Sequence, residues 1–298
     1  MTPAAEPTAR TGRVLDRPLV AFFAIAYALA WGLWLVVAWV AGQSGIGTDH
    51  LLRLVEERRL EGVDTALPGW LLYAITRVID FSFSIAGLIM IGITAGKAGF
   101  RELGGRLLSW RFPVRWYLLA LLPVFLLAVA AFLAATPMEL NGQAVITALF
   151  SLEAGLLASL FLRGAMGEEL GLRGFALPRL QGLASPFRAS LIIGILWGLW
   201  HLPVLISRDP VSIVLFLVMA LGLSFVFTLM FNGSGGSLIP GLLFHATVNW
   251  EEGFEALMPG LVGTDWEIWS TLGLLIVGLV AAVMVARRPR FGQTHLTR

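Results

Sequence analysis

Six side chains inside otherwise apolar stretches of this sequence are ionisable or polar, of types that can include a general base. They lie in three different stretches and are Glu168, Glu169, Arg173, His201, His245 and Asn249. Charged groups in stretches long enough to cross a bilayer are costly, so they need a partner or a task. Two of the chain's four histidines belong to this set, whereas the other two lie in polar segments. The set is therefore the candidate site.

Helix geometry separates the two adjacent carboxylates. Glu169 and Arg173 are four residues apart with the acid first, which is the favourable order for an ion pair on one helix face. Glu168 is rotated by about 100° around the same helix and is left out of that pair. We therefore expect Glu169 and Arg173 to support the structure, while Glu168 faces a cavity as a general base.

A hairpin should bring His201 to the depth of Glu168. The turn between their two stretches falls near Ser185, which lies 17 residues after Glu168 and 16 residues before His201. The two side chains should therefore lie at similar depth in an antiparallel hairpin. Trp197 precedes His201 by four residues, so we expect an aromatic wall beside the imidazole.

The third stretch supplies His245 and Asn249. They follow the polar, glycine-rich segment 232–237 by 8 and 12 residues, and at about 1.5 Å per residue they reach the same broad layer from the inner side of the membrane. A lone histidine in a membrane helix more often bonds a neighbouring helix than takes part in catalysis. Polar groups that converge from three helices favour an active site, with a structural or ion-conducting cluster as the alternative.

The elements that position these groups are membrane helices. Hydrophobic residues make up 57% of the 298 residues and charged residues 13%, against about 45–50% and about 25% in soluble domains. The apolar residues form runs of about twenty, the length that crosses a bilayer as a helix. We predict an all-α polytopic protein, a single integral membrane domain over 1–298 with eight spans. The predicted spans are 19–41, 70–95, 114–135, 146–178, 187–206, 211–231, 238–257 and 267–286.

The distribution of basic residues predicts the orientation. With both termini in the cytoplasm, inner segments hold 14 of the 21 basic residues and outer loops hold four, as the positive-inside rule requires. The chain is then a multi-pass protein of the cell membrane, with residues 42–69 facing outward. The segment 100–116 is predicted to lie along the inner membrane surface or to form a basic loop. Arg77 and Asp80 are predicted to pair.

Composition also limits the chemistry and the partners. The chain has no cysteine, which excludes disulfides and thiolate chemistry. No basic face resembles a nucleic-acid site, so the expected partners are the lipid bilayer and a substrate within it. There is no His-Glu-x-x-His helix and no Gly-x-Ser-x-Gly segment, so the usual zinc-protease and serine-hydrolase motifs are missing.

Three motifs resemble those of the family of CAAX-processing and bacteriocin-processing membrane proteases, called CPBP or Abi proteins. The first, Glu-Glu-x-x-x-Arg, begins here at Glu168. The second is an aromatic residue four before a histidine, here Trp197 and His201, with Trp where many relatives have Phe. The third, His-x-x-x-Asn, begins at His245. The resemblance covers residues 150–250, and its order and spacing agree with the family pattern.

The resemblance implies an eight-helix core and an endopeptidase of the type that trims prenylated proteins after the lipidated cysteine. It implies that Glu168 and His201 activate water and that His245 and Asn249 stabilise the oxyanion. Glu169 and Arg173 would hold in place the helix that carries the first motif. The implied substrate is a membrane-associated peptide or lipidated protein.

A metal site is the open question of this interpretation. Glu168, His201 and His245 match the two-histidine, one-glutamate set of a catalytic zinc, with one position left for water. Two observations argue against zinc. Asn249 shares a helix face with His245, and asparagine is a poor zinc ligand. Acceptors that would orient the two imidazoles are scarce in the sequence. We therefore favour a glutamate mechanism that requires no cofactor, with zinc as the alternative.

Two other functions remain open. One is a non-enzymatic immunity or secretion scaffold that keeps the site as a relic, although a relic need not maintain a costly buried charge cluster. The other is an ion-coupled carrier, which the sequence favours less because it shows no internal repeat of the kind that builds many transporters.

Overall fold

A computed structural model describes residues 16–57, 59–60, 62–133, 157–162, 164–249 and 266–288. Over these ranges the chain forms helices and no strand, so the predicted all-α class is confirmed. A further stretch, 157–161, is helical, and a π-helical turn, Leu172–Ala176, links the helix Ala165–Gly171 to the helix Leu177–Gln181. The helices are α1 Arg17–Gln43, α2 Thr48–Glu56, α3 Gly69–Asp80, α4 Ser82–Leu108, α5 Arg115–Ala120, α6 Leu122–Leu133, α7 Ala165–Gly171, α8 Leu177–Gln181, α9 Pro186–Trp200, α10 Leu202–Leu205, α11 Pro210–Gly233, α12 Ile239–Val248 and α13 Trp266–Ala286.

Three of the long helices begin with the same local signal. Asp16, Ser185 and Asp209 precede α1, α9 and α11, and each side chain accepts a hydrogen bond from a backbone N–H of the first turn. A proline follows each of them within the first two helical positions, where its missing N–H is not needed. The pattern of cap plus proline fixes where these helices begin.

Length and composition make this a membrane protein. Three helices, α1, α4 and α11, are long and apolar enough to cross a bilayer, and α9, α12 and part of α13 are shorter apolar helices. Many large apolar side chains point outward, including Leu35, Ile93 and Ile276, as expected of a surface that faces lipid. The predicted number of eight spans stays a prediction, since parts of three predicted spans lie outside the described ranges, namely 134–135, 146–156 with 163, and 250–257.

The predicted second span, 70–95, is wrong as one continuous helix. The chain breaks at Phe81, between α3 and α4, and α4 then continues to Leu108. Gly96 interrupts α4 with φ 54° and ψ −141°, a conformation that glycine adopts without the steric cost of a β-carbon. The segment 100–116, predicted to lie along the inner membrane surface or to form a basic loop, is helical to Leu108 and irregular over 109–114.

The helices that surround the candidate site pack closely against one another, in places through small residues. α4 lies against α1 and α7, and α11 lies against α9 and α13. At the α11–α13 contact, a β-carbon on Gly278 would lie 2.7 Å from the Cα atom of Gly222. Such close backbone approach is typical of helix packing in membranes, where van der Waals contact replaces the hydrophobic driving force.

Candidate active site

Backbone contact fixes the helix that carries both carboxylates. A β-carbon on Gly167 would collide with the carbonyl oxygen of Asp80, and one on Gly171 would collide with that of Phe83. The hydroxyl of Ser84 donates to the carbonyl oxygen of Met166 at 2.6 Å. Because α7 rests directly on the α3–α4 junction, its rotation and depth are set by these contacts.

Glu168 is buried and held by one side chain from α9. The indole Nε1–H of Trp197 donates a hydrogen bond to Oε2 of Glu168. The other carboxylate oxygen, Oε1, lies 4.0 Å from Nε2 of His245. Oε2 of Glu168 thus accepts from the neutral indole of Trp197, and Oε1 faces His245.

Glu169 has a different set of partners. Its Oε1 atom accepts from Nη1 of Arg173 at 2.7 Å and from Nδ1 of His245 at 2.9 Å. The Glu169–Arg173 ion pair expected from the spacing is therefore present, and the hydrogen bond to the histidine was not foreseen. Glu169 links α7 to α12 and orients the imidazole so that Nε2 points away from it.

Aromatic rings enclose the arginine of this group. The guanidinium carbon of Arg173 lies 4.0 Å from the ring centre of Phe227 and 5.2 Å from that of Trp197, distances at which a cation is attracted to a ring face. Both carboxylates and the arginine are at most 4% exposed. If His245 is protonated, the buried group of two acids and two bases is neutral, which is the condition under which buried charges are tolerated.

His201 caps the C-terminal end of α9. Its Nδ1 atom lies 2.8 Å from the carbonyl oxygen of Trp197; because a carbonyl only accepts, Nδ1 carries the proton and Nε2 has a free lone pair. α1 supports the same end of the helix. The Tyr27 hydroxyl donates to the carbonyl oxygen of Leu196, and the Trp31 indole donates to that of Trp200 at 3.1 Å.

Three of the predicted site atoms meet at a single glycine. From the position that a β-carbon would take on Gly164, Oε1 of Glu168 is 2.8 Å away, Nδ2 of Asn249 is 2.9 Å away and Nε2 of His245 is 3.0 Å away. The chain thus brings an acceptor from α7, an imidazole nitrogen from α12 and an amide donor from the end of α12 to one place. Only glycine, which has no β-carbon, leaves the space between these three atoms open at position 164.

A cavity of about 540 Å³ connects this meeting point with His201. Its lining includes Gly164, Glu168, His201 and Asn249, together with Trp34 of α1. Trp197 lies beside these groups, with its ring centre 5.7 Å from that of His201 and 5.8 Å from that of His245, so the aromatic wall expected beside His201 is present. Glu168 and His201 line the same cavity, and their similar depth in the membrane stays a prediction.

The residues do not form a zinc site in this arrangement. Among the residues that the structure describes, no three His, Asp or Glu side chains are grouped so that they could hold a metal ion. One premise used against zinc is nevertheless wrong: both imidazoles have an orienting acceptor at Nδ1, namely Glu169 for His245 and the Trp197 carbonyl for His201. The sequence could not show either bond, since one joins helices 76 residues apart and the other depends on the histidine rotamer.

Two residues of the site were missed by sequence reasoning. They are Gly164 and Phe227, whose ring centre lies 5.6 Å from that of His245 and whose face meets Arg173. The signal for Gly164 was its position four residues before Glu168, one helical turn away. No comparable signal marks Phe227 within the apolar sequence of α11.

Comparison with known proteins points to the same stretch of chain. The family model described as "Type II CAAX prenyl endopeptidase Rce1-like" matches residues 150–250. A curated relative, "CAAX prenyl protease 2" of Methanococcus maripaludis, is 31% identical over 136 residues. The match covers 42% of this chain and 47% of the relative, so the chain spans about half the length of that protein. The family match lies over the residues that carry all three motifs and confirms the predicted resemblance to the CAAX-processing proteases.

Proposed function

We propose that this chain is an intramembrane endopeptidase whose catalytic core is 150–250, within a single membrane domain that has both termini in the cytoplasm. It hydrolyses peptide bonds of membrane-associated proteins. The observation that carries the proposal is the meeting of Glu168, His245 and Asn249 beside Gly164, in a cavity that His201 also lines. The match to endopeptidases over the same residues supports it.

Hydrogen-bonding capacity divides the four groups into two acceptors and two donors. Glu168 Oε1 accepts, and so does Nε2 of His201, because its Nδ1 already carries the proton. Asn249 offers the amide Nδ2–H. His245 offers a second donor when Nε2 is protonated.

These capacities suit the two halves of peptide hydrolysis. Water held by Glu168 and His201 transfers a proton to Glu168 as its oxygen attacks the carbonyl carbon. The oxyanion that forms accepts from Asn249 and His245, whose positions are fixed before substrate binds. When the C–N bond breaks, the proton on Glu168 passes to the leaving amine and the acid product remains.

The remaining residues of the cluster keep these groups in place. Arg173 pairs with Glu169, and Glu169 accepts a hydrogen bond from Nδ1 of His245. Trp197 donates a hydrogen bond that fixes the carboxylate of Glu168. No step is routed through a metal. The division of roles explains why the site has two adjacent carboxylates. Glu168 takes part in the reaction, and Glu169 orients the imidazole of His245.

The proposal is tested by incubating purified protein in detergent with a peptide library and identifying new termini by mass spectrometry. The matched control is Glu168→Gln, which is nearly isosteric but cannot take up the proton. We expect cleavage by the natural chain and none by the variant, with equal melting temperatures. Equal cleavage by both would refute the role of Glu168, and no cleavage by a folded natural chain would favour the scaffold function.

A further inference from the structure

A groove runs along the surface of the protein between α5 and α6 on one side and α13 on the other, with α11 beneath it. Its volume is about 490 Å³. Its described lining has no residue in common with the cavity that Glu168 and His201 line. That lining is apolar except for two basic residues, Arg115 and Arg288. The groove is therefore a separate place in the fold, outside the proposed catalytic centre.

Helix packing explains why the groove is closed at one end and open at the other. The close contact of Gly222 with Gly278 joins α11 to α13 and closes the floor. At Gly273, an added β-carbon would lie 3.3 Å from the side chain of Leu126, so α6 reaches α13 there. α5 packs against α12 instead. The gap between α5 and the last turns of α13 is the open end of the groove.

The apolar part of the groove has the length of one membrane leaflet. Its floor includes the buried side chains of Val226 and Ala281, and its wall includes Ile276 and Val280, which are 63% and 54% exposed. Ile276 lies ten residues before the end of α13 at Ala286, a rise of about 15 Å. The hydrocarbon core of a bilayer is about 30 Å thick, so one leaflet takes up about half of that. An acyl chain of a phospholipid therefore fits the groove lengthwise.

Aromatic residues mark the open end of the groove as the level of the lipid headgroups. Trp110 is exposed, and its carbonyl oxygen accepts from the hydroxyl of Tyr117 at 2.6 Å. Tryptophan and tyrosine are enriched at the boundary between membrane and water. The guanidinium carbon of Arg115 lies 5.4 Å from the ring centre of Trp116, a distance at which the ring attracts the cation. Arg115 and Arg288 are both exposed at this end.

We infer that the groove binds an anionic phospholipid, with one acyl chain between α6 and α13 and the phosphate on Arg115 and Arg288. Among the described residues that line the groove, none is acidic, so the charge at its open end is positive. Arginine binds phosphate oxygens through its planar N–H groups, and basic pockets between membrane helices bind anionic headgroups. A soluble phosphate would leave the apolar part of the groove empty. A zwitterionic headgroup would bring its own cation to the two arginines.

The wall of the groove is connected to the helix that carries the third motif. The hydroxyl of Thr247, between His245 and Asn249 in the chain, lies 2.8 Å from the carbonyl oxygen of Ala120 at the end of α5. A lipid held by Arg115 at the start of α5 therefore stabilises the part of the fold that supports α12. Because a ligand that binds only the folded state raises its stability, lipid binding should raise the melting temperature.

The test adds lipids to the full chain purified in detergent and measures retained lipid by native mass spectrometry and stability by thermal unfolding. The probes are phosphatidylglycerol, phosphatidylcholine with the same acyl chains, and glycerol phosphate as the soluble headgroup alone. We expect one retained phosphatidylglycerol per chain and a higher melting temperature with that lipid, and little effect of the other two. An equal effect of phosphatidylcholine, or of glycerol phosphate, would overturn the inference.

Two pairs of matched variants locate the lipid. The double variant Arg115→Gln, Arg288→Gln should bind phosphatidylglycerol about 25-fold more weakly, at about fivefold for each arginine near an anionic headgroup. The control Arg101→Gln, Arg188→Gln removes the same charge from exposed positions outside the groove and should bind like the natural chain. Equal loss in both double variants would show unspecific attraction and overturn the inference.

The second pair tests the place of the acyl chain. Val280→Trp puts a large ring into the groove, whereas Leu279→Trp puts the same ring on an exposed position of α13 outside it. We expect Val280→Trp to lose most of the retained phosphatidylglycerol and Leu279→Trp to keep it. Normal binding by a folded Val280→Trp variant would overturn the inference, and neither variant depends on whether the chain is a peptidase.

Discussion

Replacing Gly164 by alanine should damage the reaction while it spares the fold. The added β-carbon would lie 2.8–3.0 Å from the end atoms of Glu168, Asn249 and His245, whereas ordinary contacts begin at 3.4 Å. Each end atom must therefore retreat by about 0.4–0.6 Å. Since a displacement of about 1 Å at a reacting centre can cost about 100-fold in rate, we expect kcat to fall by about tenfold or more, with KM little changed.

Two further glycines serve as controls for the Gly164→Ala variant. Gly32→Ala has nothing within 4 Å of its new methyl group and should change neither activity nor melting temperature. Gly171→Ala would push against the backbone of Phe83, and overpacking of this kind costs about 1–3 kcal/mol. Peptidase kinetics and thermal unfolding are measured on all three variants. If Gly164→Ala keeps full activity, or loses stability as Gly171→Ala does, the reasoning is refuted.

Three other changes test separate parts of the site. Arg173→Ala leaves Glu169 without its guanidinium partner, which should lower the unfolding free energy by about 3–5 kcal/mol; a melting temperature unchanged from the natural chain would contradict this. Asn249→Ala removes one oxyanion donor and should reduce kcat by about 100- to 1000-fold with substrate binding little changed; loss of binding with normal kcat would make Asn249 a substrate clamp. Active, chelator-treated protein should contain no stoichiometric zinc by elemental analysis; one zinc per chain, with activity lost on its removal and restored on its return, would require a metal mechanism.

Spacing along the chain predicted the parts of the site that depend on a single helix. The Glu169–Arg173 pair and the neighbourhood of Trp197 and His201 follow from the four-residue repeat. Between two helices, counting residues on either side of Ser185 predicted similar depth for Glu168 and His201, and the two residues line one cavity. In each case a period or a length was enough, and no knowledge of helix rotation was needed.

Contacts between helices were not predictable in the same way. The bond between Glu169 and His245 depends on how α7 and α12 are rotated against each other, which packing through Gly167 and Gly171 decides. The break of the second predicted span at Phe81 was hidden because the residues on both sides are equally apolar. Hydropathy records how much apolar sequence is present, and it does not record where the backbone turns.

The hydrogen bonds from Tyr27 and Trp31 to the end of α9 have a consequence for how small an active fragment can be. Both donors lie in the first helix, more than a hundred residues before the stretch that resembles known proteases. At the end of a helix the carbonyl groups have no partner within it, and in lipid no water can replace a lost donor. A fragment limited to 150–250 would therefore carry every motif and still lack the support that sets His201.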